Sequence, residues 1–213
     1  MTLDGSYDLN RETYNGELTL SRFPLDRFLT VDSLGSASAN FRLEGRYFSW
    51  PQAKTSVNAG IRQLFYKEHE YKDITLQATL DKTHLRGTMV SKDPDAPLDL
   101  VFRGDSLQQQ YQVGLGGYIG KVDLQALHLM QEPLTMGLKV DLQGFIGEHS
   151  AYALKARFNS LSMADSRKTY TLGSLDIDMA SDLKKTTLDV KTGDLQLTFR
   201  ADTSLAGFGE SAG

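Results

Sequence analysis

The sequence predicts an all-β fold, built from about fourteen antiparallel strands that stack into one elongated sheet. Three observations carry this prediction. Apolar residues recur at every second position in segment after segment, 3.6-residue periodicity is scarce, and turn chemistry separates the runs. Each run is half apolar and half polar, which is the pattern of antiparallel strands and not of parallel strands buried on both sides.

In chain order, Leu3, Gly5, Tyr7 and Leu9 open the alternation at once, so the chain reads as a fragment of a longer protein. Tyr14, Gly16, Leu18 and Leu20 follow, with Asn15-Gly16 expected as a turn. Phe23 to Leu29 is the best helical candidate: Pro24 suits a first turn, and Leu25, Phe28 and Leu29 would share one face. A short helix near 24–30 is therefore expected to plug a sheet edge. Alternation resumes at Ala37–Leu43, Val57–Ile61, Ile74–Leu80, Leu85–Met89, Leu98–Phe102 and Tyr111–Leu115. The second half repeats the style at Val122–Ala126, Leu134–Leu142, Tyr152–Phe158, Leu175–Met179, Leu188–Val190 and Leu195–Ala201. Asp81-Lys82, Asp93-Pro94-Asp95 and Thr192-Gly193 read as turns, and Trp50-Pro51 as a strand exit.

Laid side by side, the strands show an internal repeat offset by about 100 residues. Ala37–Gly45 parallels Met136–Gly144, and Ile74-Thr75-Leu76 parallels Leu175-Asp176-Ile177. Leu98–Leu107 parallels Leu195–Leu205 through Phe102-Arg103 and Phe199-Arg200, and Pro24 has a counterpart near Pro133. The reading is two continuous β units, 1–110 and 111–213.

The 213 residues include 23 Lys and Arg against 27 Asp and Glu, a net charge of -4, and no cysteine. Both signs are interspersed, so no basic patch recommends a nucleic-acid partner or an anionic membrane surface. Disulfides and thiolate metal sites are excluded. His69, His84, His128 and His149 lack the local spacing of zinc ligands, and Lys67-Glu68-His69-Glu70 reads as a solvated loop. The glycines of Gly114–Lys121 run into a strand instead of a helix, which suits a bulge better than a phosphate cradle. Asp176 with Asp178 reads as a polar strand face. Asp93, Asp95 and Asp99 could in principle bind calcium but lack its glycine-and-glutamate loop pattern. No nucleophile elbow occurs. The expectation is a non-enzyme without cofactor or metal.

Gly16–Leu29, a strand running into a Phe-Pro-Leu turn, Asp32–Ala37 leading into Asn40–Gly45, and Thr192–Phe199 resemble the TamB family (translocation and assembly module subunit TamB) and its AsmA-like relatives, most of all those of Bacteroides-type bacteria. The resemblance spans nearly the whole chain, in style more than in a fixed signature. It implies a U-shaped, taco-like sheet with an apolar interior, in a periplasmic protein anchored to the inner membrane through a segment outside this chain. It also implies phospholipid transport, support of outer-membrane biogenesis, and a BamA/TamA-type barrel partner bound through other parts of the protein. On this reading Phe41, Ile74, Leu76, Leu100, Phe102, Leu138, Val140, Leu154, Ile177, Leu197 and Phe199 line a lipid groove and contact phospholipid acyl chains. The alternative is a scaffold β-sandwich of a cell-envelope protein, with the same residues closed into a dry core.

Overall fold

The computed structural model describes residues 1–28, 33–49, 52–107, 110–147, 151–165, 167–193 and 195–204. It is all-β. The strands are β1 (Thr2–Asp8), β2 (Thr13–Pro24), β3 (Leu34–Arg46), β4 (Lys54–Tyr66), β5 (His69–Asp81), β6 (His84–Ser91), β7 (Leu98–Leu107), β8 (Gln110–Asp123), β9 (Thr135–Ile146), β10 (Tyr152–Ala164), β11 (Thr169–Ser181), β12 (Thr186–Thr192) and β13 (Leu195–Ala201). They form a single antiparallel meander in which spatial order equals chain order.

Local chemistry sets the connections. The Asp8 carboxylate accepts the amides of Asn10 and Arg11 and so turns the chain between β1 and β2. Asn15-Gly16, expected as a turn, therefore lies inside β2, opposite Gly5 and Ser6. Lys67-Glu68 form a two-residue hairpin loop with both φ positive, the geometry that matches strand twist. Thr192-Gly193 opens a similar hairpin, with Gly193 at φ 49°. Val122–Ala126, expected as a separate strand, is divided: β8 ends at Asp123, whose carboxylate accepts the amides of Gln125 and Ala126 and starts a turn. That is why thirteen strands stand among the described residues. The helix expected near 24–30 is a 3-10 turn of three residues, Leu25–Arg27, with none of them buried. Phe28 is exposed and stacks on Phe23 at 4.8 Å, so the segment plugs no edge. Leu29, Trp50-Pro51 and His149 lie outside the described residues.

The repeat is written into the strand register. Leu20 pairs with Ala39 and Ile119 with Leu138, positions 99 apart, and both ladders then slip to Phe23–Ala37 and Val122–Met136, again 99 apart. The β3–β4 and β9–β10 ladders slip at corresponding places. Thus β2–β5 superpose in register on β8–β11, and the period is six strands. Three expected pairings change. Pro24 corresponds to Asp123 and not to Pro133, because both end the strand before a turn. Leu76, not Ile74, corresponds to Leu175. Phe199 occupies the row of Gly104, two residues from Phe102, because the turn after β11 is longer than the turn after β5. Across the 110/111 boundary, β7 and β8 pair from Leu98–Ile119 to Leu107–Gln110, so the two units are one continuous sheet.

The sheet is open and uncurled. Strands pack against their chain neighbours, and β1 and β13 are left as edges. The U-shaped curl is the part of the expected fold that differs, since among the described residues the strands form one open, uncurled sheet. No second sheet covers the apolar side among the described residues, so the sandwich alternative is not formed either. The accessible surface, 14393 Å² for 23.6 kDa, shows the consequence. A compact protein of this mass exposes about 9,800 Å².

Candidate functional site

Because directly paired residues share a face, the register assigns the paired strand residues to one side of the sheet or the other. One row runs Tyr7, Tyr14, Gly45, Thr55, Leu80, Leu85, Gly104, Val113, Gly144, Leu154, Met179, Leu188, Phe199. A neighbouring row contains Leu43, Val57, Ala78, Gly87, Phe102, Leu115, Leu142, Ala156, Ile177, Val190 and Leu197. A third joins Leu3, Leu18, Phe41, Ala59, Leu76, Met89, Leu100, Gly117, Val140, Phe158 and Leu175. Ile74 and Leu138 lie on a fourth, through Ser91, Leu98 and Ile119. All eleven residues expected to line a groove therefore lie on one face, in rows that cross the sheet.

Their exposure is graded. Leu100, Leu138 and Val140 are buried and form a cluster flanked by Met89, Leu98, Leu115, Ile119, Met136, Leu142, Phe158 and Leu161. Phe41, Ile74, Leu76, Phe102, Leu154 and Ile177 are half-buried, while Leu197 and Phe199 are exposed, as are Leu3, Tyr7 and Leu195. Burial without a covering layer comes from large residues lying over small ones. The Phe102 ring covers Gly87, where a Cβ would collide with it. Gly117, at φ 144°, brings β8 against Asp99 and Leu100 of β7 where a side chain would strike backbone.

The opposite face is charged. One row reads Asp4, Glu17, Arg42, Asn58, Gln77, Thr88, Val101, Gly116, Asp141, Arg157, Asp176, Lys191, Gln196. Arg157 meets Asp176 at 2.5 Å and Lys155 meets Asp178 at 3.4 Å, so both acids sit on a polar strand face. Arg86 pairs with Asp105 at 2.8 Å and, with His84, holds that carboxyl below the usual carboxylate range. Solvent screens these largely exposed pairs, so they contribute little to stability. A depression of about 460 Å³ opens on this side between Asp141, Arg157, Asp178 and Lys191. Its walls combine charged side chains with Ala156 and Ile177, and the apolar side is distinguished by continuity of surface and not by an enclosed cavity.

One polar cluster was not legible as such. His69 is the first residue of β5, not part of a solvated loop, and its side chain is only 11% exposed. Its Nδ1 lies 3.1 Å from the Ala126 carbonyl, its ring packs edge-on against Tyr71, and its Nε2 lies 3.6 Å from Oδ2 of Asp93. Asp93 is 1% exposed. Its carboxylate accepts the amides of Lys72, Asp95 and Ala96, so it shapes the Asp93-Pro94-Asp95 turn from inside the protein. Burial pushes the Tyr71 hydroxyl up, and the Asp93 charge adds to the effect. Asp99 belongs to the opposite face, between Val90 and Tyr118, so the third member beside Asp93 and Asp95 is His69. The signal available in the sequence was Lys67-Glu68 as a hairpin loop, which makes His69 a strand residue. The Gly114–Lys121 glycines lie within β8, next to the register slip at Ile119–Val122, as a bulge requires.

These features define the class: an open, single-layer antiparallel β repeat with one apolar and one charged face. Comparison with family models, with curated proteins and with solved structures gives no match.

Proposed function

We propose that this chain is a periplasmic segment of a TamB/AsmA-like bridging protein, whose apolar face conducts phospholipid between membranes and so supports outer-membrane biogenesis. The observation that supports it is the run of apolar rows across the thirteen strands, with no second sheet above them among the described residues. Drawing an acyl chain through water costs about 0.8 kcal/mol per methylene, roughly 20 kcal/mol or more for a two-chain phospholipid. A continuous apolar surface lowers that barrier along its whole length, while the headgroup stays in solvent. Such a surface needs neither a catalytic residue nor a specific polar contact. The membrane anchor and the contact with a BamA/TamA-type barrel belong, in this proposal, to other parts of the protein.

Photo-crosslinking tests the reading. A photoreactive residue at Leu138 or Phe102 should capture phospholipid in cells, whereas one at Arg157 on the charged face should not. Native mass spectrometry of the purified chain should show bound lipid. Absence of lipid from both experiments, or equal capture from the two faces, overturns the proposal.

A further inference from the structure

We propose that His69, Asp93 and Asp95 form a binding site for a divalent transition-metal cation of the zinc type. The three residues offer one nitrogen and two carboxylate donors lying within 4.8 Å of one another. The independent pointer is Nε2 of His69, a buried nitrogen with no hydrogen-bond partner among the described residues. Its ring is oriented from the other side. The partner of Nδ1 is a carbonyl oxygen, which only accepts, so Nδ1 carries a proton. In the neutral ring Nε2 then presents a bare lone pair toward the Asp93 carboxylate, and two facing acceptors repel. Something positive belongs between them.

A proton on Nε2 would serve poorly, because 3.6 Å exceeds a hydrogen bond. A metal at about 2.0–2.2 Å from a nitrogen and an oxygen places those atoms about 3.3–3.6 Å apart in near-tetrahedral geometry. An imidazole donating its far N–H to a backbone carbonyl is also the usual support for a metal-bound histidine. The mixed nitrogen and oxygen set favours zinc-like ions over calcium or magnesium, which take oxygen ligands. Asp93 is fixed by three backbone amides, and Asp95 follows it in the same turn. A bound ion would tie the start of β5 to the β6–β7 connection. Through Nδ1 it would also tie both to the turn after β8.

The test is calorimetric titration of the chelator-treated full chain with zinc chloride, with calcium and magnesium chloride as comparators. Thermal unfolding is followed in parallel. One zinc should bind, calcium and magnesium should not compete, and the melting temperature should rise. Asp95→Asn changes a half-exposed residue and should weaken zinc by at least about tenfold, while His69→Gln should abolish binding. His84→Gln and His128→Gln should leave it unchanged. Should His69→Gln fail to fold, the Asp95→Asn arm and cobalt(II) absorption in the wild type still decide. No saturable binding, or unchanged affinity in Asp95→Asn, overturns the site and leaves a buried His–Asp contact.

Discussion

Truncating two leucines of the apolar face reports whether that face is covered in solution. Leu138 is 9% exposed and Leu197 57% exposed. Leu→Ala removes three carbon groups, each contributing about 0.8 kcal/mol when buried. Scaled by the burial each side chain has, Leu138→Ala should cost about 2.2 kcal/mol and Leu197→Ala about 1.0 kcal/mol. The cavity contribution stays small because the sheet is open on that side. Urea unfolding followed by circular dichroism, at several protein concentrations, measures both differences. If Leu197→Ala costs as much as Leu138→Ala, or if the cost depends on concentration, a second layer lies over β13 and the single-sheet reasoning fails.

Gly117→Ala places a methyl group against β7 backbone at a φ reserved for glycine and should cost about 2 kcal/mol, seen as a melting temperature about 4–8 °C lower. Asp105 ionises more readily in the folded state, so its contribution to stability is full above the unfolded pKa of about 3.9 and is lost as pH falls through the lower folded value. The stability gap between wild type and Asp105→Asn should therefore close in acid as the pH falls through the lower folded value; a gap that widens in acid refutes the assignment. Small-angle scattering should give a radius of gyration near 21 Å, from twelve spacings of about 4.8 Å and strands about 43 Å long, against about 17 Å for a compact chain of this length.

Much of this was readable from period-two alternation, because a face assignment needs only parity, and parity survives small errors of strand boundary. All eleven residues expected to line a groove fell on one side for that reason. Where the reading failed, short-range side-chain chemistry had overridden pattern. Asp8 and Asp123 each bend the chain by capping two amides, which moved the first turn away from Asn15-Gly16 and ended β8 before Leu124. The repeat was visible, but its register was not, since lengthened turns shift homologous rows by two residues without changing face. His69 was hidden by the charges around it. Its burial depends on Asp93 and Ala126, far away in the chain.

The six-strand period sets a rule of growth. An even number of strands returns the chain to the same direction, so bulges and turns recur along the same margin. Each unit of about 99 residues widens the array by roughly 29 Å, close to the hydrocarbon thickness of a bilayer. Insertion or loss of a whole unit would change the reach of such an array in steps of that size and leave its oily stripes unbroken. A change of one strand would reverse the chain direction and send every later bulge to the opposite margin.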